Sequence, residues 1–429
     1  MKKRYLIYVF CAALFVYCAT ANAEGESSAE SAQPMTWDDC VKEAAKNNPG
    51  LVSAQMSVKS SQADKVITAS GLFPQVSTDL NTSKSKDSES KAVNNYNYGV
   101  TGSQLIFDGF QTMNKVNAAA ENIKASQESY KFTSSQVRLR LRTAFVNLLK
   151  AQEGVKIEQE IYDRRRQNYE LVTLRYESGM ENKGSLLTEG ANVRQAQYGI
   201  SVAKRGIELA QRQLTKEMGR PQIVPMIAKG DFAVVDAARE KPDFVILAAD
   251  NPTLKQLIAQ KNAAVFNVKT AKGEFFPTIT AQGGADKSDS VWPPKDSQWN
   301  IGAAVSFPIF EGGKRIADVS KANALLTKAE ADERSSRDGI IESLTDAWTS
   351  LQNALDNVDV QYQFLTASEE RAKITEAQYS IGFVSFNDWI IIEDNLVSAK
   401  NSYLNAQAQA LTAEANWIQA KGETLENVQ

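Results

Sequence analysis

The sequence predicts a mainly α protein with a membrane β-barrel part, written as a duplicated unit of helix, β-hairpin and long coiled-coil helix. Three observations predict it. Landmark residues recur at an offset of 203 positions along the 429-residue chain, as a structural duplication requires. Two stretches set apolar residues at every second position, the period of a strand. Two much longer stretches contain no proline and space their apolar residues four and three apart, as in a coiled-coil seam.

Composition removes other classes. Lys and Arg number 48 against 51 Asp and Glu, and 43% of residues are hydrophobic, as in ordered proteins generally. There is no histidine, which excludes Ser-His-Asp and Cys-His catalysis, His proton relays and His-ligated zinc. Cys11 and Cys18 lie near the N-terminus and Cys40 alone lies beyond, so a processed chain has no internal disulfide and no Cys₄ site. No catalytic residue, cofactor or resident metal is expected. Cys40 reads as a small packing residue.

The first element is an export signal. Lys2, Lys3 and Arg4 precede an apolar stretch from Tyr5 to Ala19, and Ala21-Asn22-Ala23 offers the small-x-small pattern of signal-peptidase cleavage. Residues 1–23 are therefore read as a signal peptide and 24–35 as an N-terminal segment. Tyr17 directly before Cys18 is too large for a lipoprotein signal, which favours ordinary cleavage over lipidation. Losing three cations leaves the chain more acidic, with no basic surface for nucleic acid. No later stretch has the roughly 18 consecutive apolar residues of a membrane-spanning helix. A mature chain that crosses a membrane does so as strands.

The duplication then sets the order. Asn48/Asn251, Pro49/Pro252, Phe73/Phe276, Pro74/Pro277, Gly99/Gly302, Gly109/Gly312, Tyr176/Tyr379, Gly179/Gly382 and Gly219/Gly422 pair without a gap. The first repeat spans 36–219 and the second 239–422. An inter-repeat linker, 220–238, is broken by Pro221, Pro225 and Gly230, and a tail follows at 423–429. Each repeat opens on helix, interrupted near Pro49 or Pro252.

Hairpins are predicted at 72–109 and 275–312. Val76, Thr78 and Leu80 alternate with polar residues, as do Ile279, Ala281 and Gly283 more weakly. The return strands are clearer. Tyr96, Tyr98, Val100 and Ile106 share one phase, and Trp299, Ile301, Ala303, Val305, Phe307 and Ile309 share the corresponding one. A hairpin on a soluble core would show the same alternation. Export, about ten residues per strand and aromatic starts instead favour a lipid-facing set: Tyr96, Tyr98, Trp299, Ile301, Val305, Phe307 and Ile309.

Long helices follow at 110–178 and 313–381, near 100 Å each at about 1.5 Å per residue. Their seams read Val137, Leu141, Ala144, Leu148, Ala151, Val155, Tyr162, Tyr169, Val172, Tyr176 and Ile340, Leu344, Ala347, Leu351, Ala354, Val358, Leu365, Ala372, Tyr379. Gly179 and Gly382 end the rods, and return helices run over 185–219 and 388–421. Arg138, Arg140, Arg142 and Arg164 to Arg166 have no basic counterparts in the second copy and read as solvated helix faces. Four membrane strands per chain are too few for a barrel, whose smallest examples have about eight. Two, three or four chains would supply eight, twelve or sixteen, and the count does not choose.

Together these features resemble the TolC-like outer-membrane efflux proteins. The resemblance rests on the export signal, the duplicated unit, Asn-Asn-Pro-Gly-Leu at 47–51, Phe-Pro before each first strand, Phe107-Asp108-Gly109 and Phe310-Glu311-Gly312 at the junctions, and Tyr-x-x-Gly at each rod tip. It implies a homotrimer with a twelve-stranded barrel in outer-membrane lipid and a twelve-helix periplasmic tunnel. It also implies an exit duct of a tripartite efflux or type I secretion system, working with a periplasmic adaptor and an inner-membrane transporter. The alternative is a non-conducting coiled-coil stalk or adhesin. By resemblance, the constriction lies at the tips, around Tyr176, Gly179, Glu181, Ser185, Glu189, Tyr379, Gly382, Asn387 and Asp388. Asp388, six residues after Gly382, matches a position where such proteins often carry a lumen-facing carboxylate; its other role is in the first turn of the return helix. Tyr176 and Tyr379 read as packing residues or as hydrogen-bond donors between helices. Val384 replaces an Arg that locks the closed tip in some relatives, which puts that ionic lock in doubt.

Overall fold

A computed structural model describes residues 33–86, 92–232 and 240–427. The expected signal peptide and its cleavage point lie outside them, as do parts of the first hairpin loop and of the linker. Strand β1 (Gln33–Thr36) leads into α1 (Trp37–Asn47) through a reciprocal cap, in which Thr36 Oγ1 accepts from the Asp39 N–H and Asp39 accepts from the Thr36 N–H. Asn48 ends that helix and caps α2 (Pro49–Ser70), whose first residue is a proline with no N–H to strand. The interruption read from Pro49 is thus a junction of two helices.

Strands β2 (Gln75–Ser85) and β3 (Val93–Phe107) precede α3 (Gln111–Glu177) and α4 (Lys183–Met218). After β4 (Met226–Lys229), which pairs in parallel with β1, the same order recurs. It comprises α5 (Phe244–Asp250), α6 (Pro252–Gly273), β5 (Thr278–Asp289), β6 (Asp296–Ser306), α7 (Lys314–Ser380) and α8 (Phe386–Ala420). Both rods contain 67 residues and begin 203 residues apart. Asn251 caps α6 as Asn48 caps α2.

The four longer strands form one antiparallel sheet in the order β2-β3-β5-β6, leaving β2 and β6 as edges. The largest core lies at the waist, where Met35, Cys40, Leu51, Leu141, Phe145, Leu148, Leu214, Met218 and Met226 pack together. Leu425, from a short 3₁₀ turn at the chain's end, plugs the same core. Cys40 is wholly buried there, and burial pushes its thiol up to about 12. A second cluster joins Leu344, Trp348 and Leu351 to Trp417 and Ala248.

Three expectations are corrected. Strand β6 stops at Ser306, so Phe307 and Ile309 lie beyond it; β6 is an edge with one partner, and Pro308 has no N–H to continue a ladder. The coiled-coil seam is not closed along its length. Val137, Leu141 and Val172 are fully buried, but Tyr169 and Tyr176 remain 36% and 38% exposed, because a rod in a single chain is covered on only part of its circumference. Finally, most of the arginines are not solvated. Arg138 reaches Glu423 at 3.1 Å, and Arg142 lies 5.1 Å over the Trp37 ring. Arg164 and Arg165 are buried or half-buried against acids of the second repeat.

Candidate functional site

Two regions carry functional chemistry, one at each end of the rods. At the sheet end, the register decides which side chains share a face. Val76, Leu80, Tyr96, Tyr98, Val100, Ala281, Ala285, Trp299, Ile301, Ala303 and Val305 fall on one side. Asp79, Asn81, Asn97, Thr101, Gln282, Asp286 and Asn300 fall on the other. The apolar face covers no core: Trp299 is 78% and Ile301 82% exposed. Among the described residues, no helix is long and apolar enough to cross a membrane.

Aromatic side chains bracket that face. Tyr96 and Tyr98 stand 6.0 and 6.3 Å from Trp292 near the hairpin ends. Phe107 and Phe110 pack edge to face at 5.4 Å near the helices. The stretch from Tyr98 to Phe107 spans about 30 Å along a strand, or roughly 23 Å of membrane depth at a 40° tilt, which matches the apolar band of a membrane barrel. Phe307 and Ile309 sit at the helix-proximal end of the band, both exposed.

At the other end, the two rods turn at Gly179 and Gly382, with φ of 76° and 84°, a left-handed conformation that side chains with a Cβ resist. Tyr379 is the hub of the tip. Its ring is fully buried, stacked 4.2 Å from Trp389 at 15°, with the Arg175 guanidinium 4.7 Å over the other face. Its hydroxyl donates to Glu181 Oε2 at 2.9 Å, and Arg175 Nη1 donates to the carbonyls of Tyr379 and Ser380 at 3.0 and 3.2 Å. The turn after α3 is thereby tied to the end of α7. Burial and the Glu181 carboxylate push the Tyr379 hydroxyl well above its ordinary value. Burial opposes charge on Glu181, but the Asn182 N–H, the Tyr379 hydroxyl and Arg175 together hold its carboxyl below the usual range.

The remaining tip residues divide by exposure. Asp388 and Asn387 are exposed in the first turn of α8. Asp388 also serves the cap: its N–H donates to Ser385 Oγ at 3.2 Å and its carboxylate accepts from the Ser385 hydroxyl at 2.7 Å. Ser185 and Glu189 are buried within the chain, so neither presents its side chain at the tip surface. Tyr176, the counterpart of Tyr379, is partly exposed and outside the hub.

Sequence reading missed a charged cluster just above the hub. Arg164 grips Glu393 with two bonds of 2.5 and 2.7 Å and reaches Glu376 at 3.2 Å. Asn168 adds a third donor to Glu393 at 3.1 Å, and Arg165 bonds Asp394. Glu393 is 1% exposed and needs those donors. Glu189 accepts from Asn192 at 2.8 Å and faces Arg165 at 3.8 Å, and burial pushes its carboxyl up. The available signal was that Arg164 and Arg165 fall on a rod face beside seam residues, while Glu393 and Asp394 sit at non-matching positions of the other copy.

A two-faced sheet with membrane-deep aromatic ends, carried on rods about 100 Å long, has the plan of a membrane-seated sheet with a long helical extension. Comparison with known proteins agrees. The outer membrane efflux protein family model matches residues 40–220 and 246–423. The outer membrane efflux protein BepC of Brucella suis is 22% identical over 98% of this chain and 92% of its own. Among solved structures, the CmeC outer membrane channel of Campylobacter jejuni superposes with a TM-score of 0.79 at 18% identity, covering 91% of this chain and 87% of its own. The open-state MtrE channel of Neisseria gonorrhoeae gives 0.78 at 19%, over 90% and 88%. The chain belongs to the outer membrane efflux protein family. It is an outer-membrane efflux protein, and the stalk alternative finds no support among these relatives.

Proposed function

We propose that the protein acts as the passive exit duct of a tripartite efflux or type I secretion system. Three copies would close a barrel through outer-membrane lipid and a helical tunnel across the periplasm. A periplasmic adaptor would engage the helices and an inner-membrane transporter would supply energy, with no chemistry performed by the duct itself. The observation that carries this reading is the single exposed apolar sheet face joined directly to paired rods. Such a face needs lipid, and strands at both edges need partners.

The tip is the proposed gate. Tyr379, Glu181 and Arg175 latch the two rods of one chain, and Asp388, exposed beside them, would form an acidic ring when copies assemble. Such a ring attracts cations and repels anions. In a planar bilayer, Asp388→Asn is expected to lower cation preference while conductance persists; unchanged ion selectivity would remove the ring. Conduction is tested separately. Protein extracted with detergent from the outer-membrane fraction should have the mass of several chains and conduct ions, whereas a monomer released without detergent would overturn the duct.

A further inference from the structure

The charges of the four-stranded sheet are sorted by face. Among the described strand residues, the side bearing Asn97 and Asn300 carries Asp79, Asp286 and Asp296 and no base. The apolar side carries Lys84, Lys287 and Asp289, all at the hairpin ends, and no other charge along its length. Lys295, just before β6, keeps that same phase two positions ahead of Ser297. All three lysines are exposed. Asp289 is engaged in the β5–β6 turn, where its carboxylate accepts the Val291 N–H at 3.2 Å. The rim of the lipid-facing side is therefore basic, while the opposite side of the same strands is acidic.

We infer that this rim holds the phosphate-bearing headgroup of an outer-leaflet lipid, with Lys287 and Lys295 as its cations and Tyr98 and Trp292 as its floor. This rests on the reading that the sheet crosses the outer membrane with its hairpin ends outward. Lys287 lies directly opposite Tyr98 on one side and Ser297 on the other. It stands two residues, about 7 Å along the strand, beyond the Ala285–Trp299 pair. That is the outer end of the apolar band, where a lysine lays its stem along apolar surface and lifts its ammonium to headgroup depth. Tyr98 and Trp292 stand 6.3 Å apart at the same level, with Trp292 55% exposed, and such rings favour the boundary between hydrocarbon and headgroups.

Charge complementarity selects the occupant. Neither Lys287 nor Lys295 forms a salt bridge among the described residues, so a neutral headgroup would leave two cations unmatched beside hydrocarbon. A phosphate supplies the opposite charge and several acceptor oxygens to ammonium donors. At the far end of β6 the bases are matched within the chain, Lys314 by Asp318 and Arg315 by Glu311, each at 2.8 Å. The acids of the other face repel an anion. With Asp286 on one side of β5 and its neighbour Lys287 on the other, the strand keeps the phosphate among lipids and out of the conduit.

The test uses the full-length protein in detergent, titrated with the phosphorylated glycolipid lipid A and with the same lipid stripped of phosphate. Bound lipid per chain is counted by native mass spectrometry. The phosphorylated form is expected to bind in preference, and more weakly as salt is raised. Lys287→Gln and Lys295→Gln should each weaken its binding about fivefold, whereas Lys314→Gln should bind as the unaltered chain does. Equal binding of the two lipids would overturn the inference, and that comparison needs no variant to fold. Undiminished binding by the Lys287→Gln, Lys295→Gln double variant would overturn it as well. Displacement of the lipid by millimolar inorganic phosphate would overturn the lipid as occupant in favour of a free anion. In all three cases protein that keeps its multi-chain native mass and conducts ions leaves the duct standing. A monomer released without detergent would instead overturn the duct, and this inference with it.

Discussion

Removing one oxygen from the tip hub tests the gate most directly. Tyr379→Phe keeps the ring that stacks on Trp389 and lies under Arg175, and deletes only the hydroxyl that donates to Glu181 at 2.9 Å. A hydrogen bond to a charged partner contributes about 1.5–3 kcal/mol. Glu181 is half-buried and keeps the Asn182 N–H at 3.0 Å, so the lower end applies, about 1.5 kcal/mol for each copy. That is roughly a tenfold shift in the ratio of released to latched tips. Single-channel recording of the purified protein in planar bilayers reads it as longer or larger openings. Because the lost bond is local, export and native mass should not change. A Tyr379→Phe channel with wild-type open fraction would refute the latch, since no other contact of the ring is altered.

Two further predictions follow from the charges. Arg164→Met should leave Glu393 buried with Asn168 as its remaining donor and cost about 3 kcal/mol, the lower end for a broken buried pair because Arg164 is partly exposed; Arg164→Met with Glu393→Leu should recover most of that, read by hydrogen exchange along α3 and α8. The latch should also depend on pH in a stated direction. Glu181 is held below its ordinary value of 4.5, so its contribution is complete above that pH and is lost as pH falls through the depressed value. Tyr379 is held above its ordinary 10.0, so its contribution erodes once pH passes 10.0, where an unlatched tyrosine ionises first. Tip openings should therefore be flat between about pH 5 and 10 and rise on either side; a change centred near neutrality would point to groups other than these.

Much of the fold was legible because periodicity and punctuation survive in the sequence. Asn48-Pro49 and Asn251-Pro252 announce the helix junctions, Gly179 and Gly382 the rod ends, and Trp299 to Val305 one face of a strand. Local patterns cannot say which edge meets which. The pairing of β3 with β5 and the plugging of the first repeat's core by Leu425 join residues far apart in the chain. Nor can periodicity see the end of β6, which depends on whether a neighbouring strand is present. Arg164 and Arg165 misled for a related reason: an unpaired charge run is solvated by default, and the acids they bond, Glu376, Glu393 and Asp394, lie in the other repeat.

The same contrast explains why the tip was only half readable. Matched positions of the two copies report backbone geometry, since both must turn, cap and pack alike. Contacts between the copies occur where they have diverged. Arg175 and Glu181 belong to the first copy, and the second has Gln378 and Val384 at those places. Tyr379 enters the hub while Tyr176 does not, and the bulky Trp389 stands where the first copy has Leu186. Arg164 and Arg165 align with Ala367 and Ser368, while Glu393 and Asp394 align with Gly190 and Ala191. A duplicated rod pair with identical tips would meet like charge with like charge wherever the copies touch. Divergence toward base in one copy and acid in the other makes that contact attractive, so mismatched positions between the repeats are where gate residues are to be sought.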